Sequence, residues 1–502
     1  MLPEVLREAG RQFSERVAYV SADGWMVTYR ELDQFSDEAA VWLACNAGVR
    51  EGAVVSLVLP STIDYVVLYG ALAKLGANTA GVNSLLTPRE RSAALECADP
   101  ELVIVDPSLA EGVPASARTL ELISADHATG VAKAMRTPGE SPPILPDDPE
   151  RAVTICFTSG STGAPKGALF REKQIRAIAA LDTGGPGAGW GTGTHSVAAT
   201  QFAHVGGMTK IPWMFASGGT VHLMHRWRAH DVLRLTHEFR MPAINAGPTQ
   251  VALMLRQPDF DEYDFSCVKA IIAGTGPSTP AIIVEARERF GAPYSVRYSS
   301  TESGGVGLAT ALDAPDEEAL YTVGRPRAGI EAKVAGEDGR ELPIGETGEM
   351  WLRSPATMSE YWHNPEETAR TLVGGWLRTG DLGLKDESGC YRLSGRVKEM
   401  FIRGGYNVYP LEVEKVLAAH PKVSEIALVP RPDAVMGEIG VAVVVPRRAD
   451  DAPTLEELRS FGEAQLARYK LPERIRIVDE LPLNATHKLD RRALAAVERQ
   501  AS

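Results

Sequence analysis

The chain has 502 residues, more than one hydrophobic core usually organises, so two or more domains are expected. With 44% hydrophobic and 23% charged residues it is neither a disordered nor a fibrous chain. The formal net charge of -13 argues against a general nucleic-acid binder, which would carry a basic face.

The opening MLPEVLREAGRQFSERVAYV mixes Glu and Arg into its apolar positions and has no uninterrupted apolar run, so it does not read as a signal peptide. The most apolar windows, Ala53 to Leu59 and Val441 to Val445, are too short to cross a bilayer. Cys45, Cys97, Cys156, Cys267 and Cys390 are odd in number and scattered, which fits free thiols in a reducing compartment better than a disulfide frame or a zinc site. A cytoplasmic location is expected.

Along the chain, an apolar strand at Val54 to Leu59 stops at Pro60, and a helix over Ile63 to Leu75 ends at Gly76. Such alternation predicts a mostly parallel sheet covered by helices. The polar, Pro-rich stretch Glu140 to Arg151 reads as a surface loop ahead of the strand VTICF. After Gly395 the character changes. Pro410 stands at a helix N1 position before LEVEKVLAAH, and short strands follow at Ile426 to Val429 and Val441 to Val445. Thr454 and Glu457 form a capping box for a helix running to Lys470. The fold class expected is α/β: a large N-terminal domain of parallel-rich sheets, residues 1–396, and a small α+β C-terminal domain, residues 397–502.

TSGSTGAPKG, Thr158 to Gly167, has the composition of a polyphosphate cradle. Gly160, Gly163 and Gly167 let the backbone curl around an anion; Thr158, Ser159, Ser161 and Thr162 offer hydroxyls, and Lys166 a positive charge. It is not a Walker A loop, which would need Gly at Pro165 and Ser or Thr at Gly167. On its own the segment also fits a polar surface loop.

With YSSTE (Tyr298 to Glu302), GWLRTGD (Gly375 to Asp381), GRVKEMFIRGGYNVYPLEVE (Gly395 to Glu414) and Lys488 following in order, the sequence resembles the adenylate-forming superfamily of acyl-CoA synthetases, nonribosomal adenylation domains and firefly-type luciferases. The resemblance runs from TYREL at Thr28 nearly to the C-terminus. It implies attack of a carboxylate on the α-phosphorus of ATP to give an acyl-adenylate, with pyrophosphate released.

The resemblance places the Thr158 to Gly167 loop on the β and γ phosphates, Thr301 on the α-phosphate and Glu302 on magnesium. It gives Tyr298 a stacking role against adenine, with Gly274, Thr275, Gly276 and Ser299 around the nucleotide. Asp381 and Arg396 are implied to hold the ribose, Asp381 from a Thr-Gly-Asp turn, and Lys488 to reach the reacting carboxylate. Lys398 falls at the family's hinge, and Gly404 and Gly405 lie where a pantetheine arm would pass. The wording IRGGYNVYPLEVE is most like acyl-CoA ligases, so ATP, magnesium and coenzyme A are the implied cofactors, with an acyl carrier protein as the alternative acceptor.

The acyl group would lie beside FAHVGGM, with His204 as gate and the neighbouring Gly206 and Gly207 in a tight turn. Other walls would come from Asn245 to Pro248, Ala273 to Gly276 and Ser303 to Gly305. These stretches hold small or neutral residues, which favours a mostly apolar monocarboxylic acid, fatty or aromatic. Ser299 and His487 stand where the family usually has glycine, which bears on rate and substrate choice. The rival of another class is a nucleotide- or acyl-binding protein without catalysis; retention of Glu302, Asp381, Arg396 and Lys488 weighs against it. Nothing in the sequence favours luciferase-type oxygenation.

Overall fold

The structure is a computed structural model that describes residues 2–123, 130–158, 165–185, 188–198, 200–397, 399–404, 406–433, 435–483 and 489–500. The apolar run after Ala53 forms the strand Val54–Val58, buried along its length, and Pro60 separates it from the helix Ile63–Lys74. Every residue of that helix is buried, because it lies against the helices Leu2–Gln12 and Tyr29–Ala47 as well as its own sheet. Burial extends to Lys74, whose charge is met by Asp33 and Asp37, each at 2.6 Å.

The strand is near the middle of a seven-stranded sheet, in which it lies parallel to Asn78–Gly81 and Leu102–Val105. Asn78–Gly81 in turn lies parallel to Ala152–Thr158. From there the chain returns antiparallel as Lys166–Arg171, and Glu360–Tyr361 pairs with the outer edge of that strand. A second sheet begins with the parallel strands Ala243–Ala246, Ala270–Ala273 and Tyr294–Tyr298 and continues antiparallel through Leu308–Ala309. A third is antiparallel, with Trp376–Lys385 between Gly348–Arg353 and Tyr391–Arg396. The sequence therefore produces the expected α/β body, its parallel strands joined through covering helices.

Beyond Arg396 the chain builds a small α+β unit. Phe401–Arg403 and Tyr406–Val408 form a hairpin, and the helix Pro410–Leu417 begins on its proline as expected. The strands Val423–Asp433 and Gly437–Pro446 are longer than their apolar runs, since their polar and Pro-bearing ends also pair, out to Asp433 against Gly437. The helix capped by Thr454 and Glu457 forms but stops at Gly462 rather than Lys470. Gly462 is where Leu471 and Leu417 close over the helix end, Leu471 within 2.7 Å of where a Cβ would stand, so the chain turns there. Among the described residues no helix is long and apolar enough to cross a membrane.

Candidate active site

Thr158 and Lys166 face each other as the last pair of the hairpin formed by Ala152–Thr158 and Lys166–Arg171. Ser159, Gly160, Ser161, Thr162 and Gly163 lie outside the described residues. The Lys166 ammonium pairs with Glu367 and sits 5.0 Å from the centre of the Tyr361 ring. Burial and the nearby Arg370 push Lys166 below the usual lysine range, while Glu302 pulls it back up. Tyr361 is the bridge between the two motifs: its hydroxyl donates to Glu302 Oε1 at 2.7 Å, and burial with that carboxylate raises its pKa. Sequence reasoning missed Tyr361, which follows no motif spacing and reaches the site only because Glu360–Tyr361 adds to the strand carrying Lys166.

Glu302 and Thr301 occupy a turn after the strand Tyr294–Tyr298, and the Glu302 carbonyl is fixed by the Met358 amide at 2.8 Å. Among the described residues, Glu302 Oε2 and the Thr301 hydroxyl have no hydrogen-bond partner, so both remain able to meet a ligand. No group of three or more metal-ligating side chains exists among the described residues. A cation here would take Glu302 as a single carboxylate ligand and the rest from phosphate and water, a hard oxygen set that suits magnesium.

Asp381 corrects one expectation. It lies inside the strand Trp376–Lys385, not in an exposed turn, and is only 6% exposed. Against the neighbouring strand, Arg378 pairs with Trp351 while Leu382 pairs with Glu349, so Thr379, Gly380 and Asp381 bulge over Met350. The bulge brings Asp381 Oδ2 to the Tyr298 hydroxyl at 2.7 Å and Oδ1 to Arg396 Nε at 2.7 Å. Burial and the Asp381 charge hold the Tyr298 phenol well above its ordinary pKa, and the same carboxylate raises Arg396. Tyr298, Asp381 and Arg396 therefore converge from two sheets, as three of the predicted nucleotide contacts.

Gly274 has space beside it: an added Cβ would make only ordinary contacts with Arg297 at 3.5 Å. Next to it Thr275 has φ of +70°, a conformation rare for a β-branched residue and often kept where a ligand is met. Gly276 is equally open, its nearest neighbour being Pro248 at 3.9 Å, and Ser299 is exposed. His204 shares a hydrogen bond of 3.0 Å with Asn83 through Nε2. Its neighbours Gly206 and Gly207 form the single-turn helix Val205–Met208 rather than a tight turn, because Gly207 packs directly on Phe202, whose Cα lies 2.6 Å from where a Cβ would stand.

Gly404 lies at the tip of the hairpin made by Phe401–Arg403 and Tyr406–Val408, with Tyr406 stacked on Tyr469 at 4.7 Å. Lys398, Gly405, His487 and Lys488 lie outside the described residues.

The large α/β body followed by a small α+β unit is the architecture of adenylate-forming enzymes. The chain belongs to the AMP-binding enzyme family: the family's main profile matches residues 6–362, and the profile of the AMP-binding enzyme C-terminal domain matches residues 412–488. A fatty acid–[acyl-carrier-protein] ligase from Streptomyces coeruleorubidus is 32% identical over 95% of this chain and 92% of its own. A long-chain fatty acid–CoA ligase from Mycobacterium tuberculosis is 30% identical over 92% of this chain and 91% of its own. Among solved structures, the amide bond synthetase McbA from Marinactinospora thermotolerans superposes with a TM-score of 0.86 at 29% identity, covering 99% of both chains.

Proposed function

We propose that this protein activates a mostly apolar monocarboxylic acid, fatty or aromatic, with ATP and then transfers the acyl group to the thiol of coenzyme A. In the first step a carboxylate oxygen bonds to the α-phosphorus as the bond to pyrophosphate breaks, leaving an acyl-adenylate. In the second, the thiol sulfur bonds to the acyl carbon, the thiol loses its proton, and AMP departs.

Two anions must meet in the first step, so the protein's task is charge neutralisation and alignment. Lys166 and the Thr158 to Gly163 segment would hold the β and γ phosphates, and the Thr301 hydroxyl, without a partner among the described residues, would donate to the α-phosphate. Glu302 would hold magnesium, which neutralises phosphate oxygens. Asp381, fixed by Tyr298 and Arg396, keeps lone pairs for the ribose hydroxyls. Lys488 would stabilise the charge that develops between carboxylate and phosphate, His204 would border the acyl entrance, and Lys398 would be the hinge that brings Gly404 and Gly405 to the thiol.

The observation that carries this reading is the convergence of Lys166, Glu302, Tyr298, Asp381 and Arg396 from three separate sheets. The test is pyrophosphate release from ATP and magnesium across fatty, aromatic and branched acids, with and without coenzyme A. Release that requires the acid and is accelerated by coenzyme A supports the ligase. The similarity to an acyl-carrier-protein ligase favours a second acceptor, the pantetheine of a carrier protein. An adenylate trapped by hydroxylamine, with no gain from coenzyme A, would favour it. A protein that binds ATP but releases no pyrophosphate with any acid would overturn both.

A further inference from the structure

Two of the walls proposed for the acyl group are bordered by cations that lie outside the sequence stretches naming those walls. Lys210 comes two residues after Met208, and its Cε is 3.7 Å from where a Cβ on Gly305 would stand; Val205 touches the same point at 3.8 Å. Arg297 comes one residue before Tyr298, and its Cβ is 3.5 Å from the corresponding point on Gly274. Arg327 joins them from the segment after Arg325–Pro326, its amide bonded to the Gly307 carbonyl at 3.2 Å.

Against these three cations the described residues place one paired carboxylate, Asp182. It pairs with Lys210 and accepts from Arg327 Nη1 at 2.9 Å, while Arg327 Nη2 donates to the Leu181 carbonyl at 2.8 Å. The Arg297 guanidinium, on a half-buried residue, makes no hydrogen bond or ion pair with any described residue and feels Asp182 and Arg327 only at longer range. Elsewhere among the described residues, buried or half-buried cations are held directly: Lys74 by two aspartates, Arg91 by the Glu111 and Leu86 carbonyls, Arg491 by Glu414. A half-buried guanidinium without a protein acceptor keeps its donors for solvent or a ligand, and an acceptor carried by the ligand gains a charge-assisted hydrogen bond there. Burial already pushes both Lys210 and Arg297 below their ordinary ranges, as expected where positive charge is in excess.

We infer that Arg297, with Lys210 beyond it, is a specificity residue that binds an electron-rich oxygen on the acyl part of the acid: a hydroxyl, a keto oxygen or a second carboxylate. The inference rests on the acyl walls proposed above and refines that reading: the acid carries an acceptor away from the carboxylate that is activated, and where that acceptor is itself a carboxylate the acid is dicarboxylic rather than monocarboxylic. Arg297 acts on substrate choice through a planar, multi-donor contact that a lysine reproduces only in part.

The test is ATP–pyrophosphate exchange with matched acids: benzoate against its hydroxy isomers, and hexanoate against its hydroxy, oxo and terminally carboxylated counterparts. At least one acceptor-bearing acid is expected to exceed its parent by roughly tenfold in kcat/KM, as for a hydrogen bond to a charged donor. The class that gains most identifies the oxygen. In Arg297→Met this advantage disappears, mainly through KM, and in Arg297→Lys part of it returns. Each variant is first matched to the wild type in thermal midpoint and in binding of a non-hydrolysable ATP analogue, so that misfolding is seen separately. Parent acids preferred throughout, or an acceptor preference unchanged in both variants, would overturn the inference. Exchange absent with every acid would instead overturn the activation reading, and this inference with it.

Discussion

At the residue scale, the most exacting contact is the buried hydrogen bond from the Tyr298 hydroxyl to Asp381. The phenol is the donor in this bond, and with its pKa raised by burial and by Asp381 itself it keeps its proton across neutral pH and orients the carboxylate. Arg396, 60% exposed at its side chain, contributes less, because solvent screens its charge. Tyr298→Phe therefore removes the stronger of the two anchors while keeping the ring. A hydrogen bond to a charged group contributes about 1.5 to 3 kcal/mol, so the KM for ATP in pyrophosphate exchange should rise roughly tenfold or more. Unfolding by urea should show a smaller loss, since Asp381 retains Arg396. An unchanged KM would mean that Asp381 needs no help from Tyr298 in meeting the nucleotide.

At the element scale, the bulge of Thr379–Asp381 is what turns a strand residue toward the site. Gly380 has φ of +72° and nothing within 4 Å of where a Cβ would stand, so Gly380→Ala meets no clash but strains the backbone by about 1 to 2 kcal/mol. Three residues along, Gly383 presents the opposite case: its Cβ would lie 2.5 Å from the Arg392 carbonyl and 2.8 Å from Met350 Sδ. Gly380→Ala should cost more in ATP-dependent exchange than in unfolding free energy. Gly383→Ala should cost about 1 to 3 kcal/mol in unfolding, as overpacking does. Equal ratios of the two losses in both variants would sink the idea that the bulge serves the site. The bulge also shows what the sequence concealed. RTGD reads as a turn because Thr, Gly and Asp favour turns, yet pairing on both sides holds it in a sheet. Local signals did suffice where burial and capping act within a few residues, as in Val54–Val58, Ile63–Lys74 and the Thr454 capping box. They failed at Gly462, where the helix end is decided by Leu417 and Leu471. The site motifs were legible in order, but Tyr361, Lys210 and Arg297 reach it only through strand pairing and packing.

At the scale of the whole molecule, the buried clusters divide between Leu393 and Phe401, an interval that contains the boundary proposed between residues 396 and 397. Phe401, Val413, Val423, Leu458 and Leu471 pack among themselves, whereas the clusters of the body draw on residues up to Tyr391. Among the described residues, the polar contacts that cross include Lys415 Nζ donating to the Leu393 carbonyl at 2.6 Å, and Arg256 reaching Ser424 at 3.3 Å and Glu425 at 3.9 Å. A unit with its own core and a largely polar seam is suited to move as a body. The proposed reaction uses that freedom twice, since Lys488 must serve the adenylate step and the Gly404 hairpin the thiol step. Gly404 has φ of +56°, and its Cβ would stand 3.1 Å from Met436 Sδ, so Gly404→Leu strains the turn and fills the space a narrow thiol arm would use. Lys488→Ala should lower pyrophosphate exchange by about two to three orders of magnitude, the scale seen when one transition-state charge contact is removed, while an ATP analogue still binds. Gly404→Leu should reverse the pattern, slowing transfer from preformed acyl-adenylate to coenzyme A far more than it slows exchange. If each substitution lowers both steps in the same proportion, the two groups act at one station, and movement of the small unit between half-reactions is not needed.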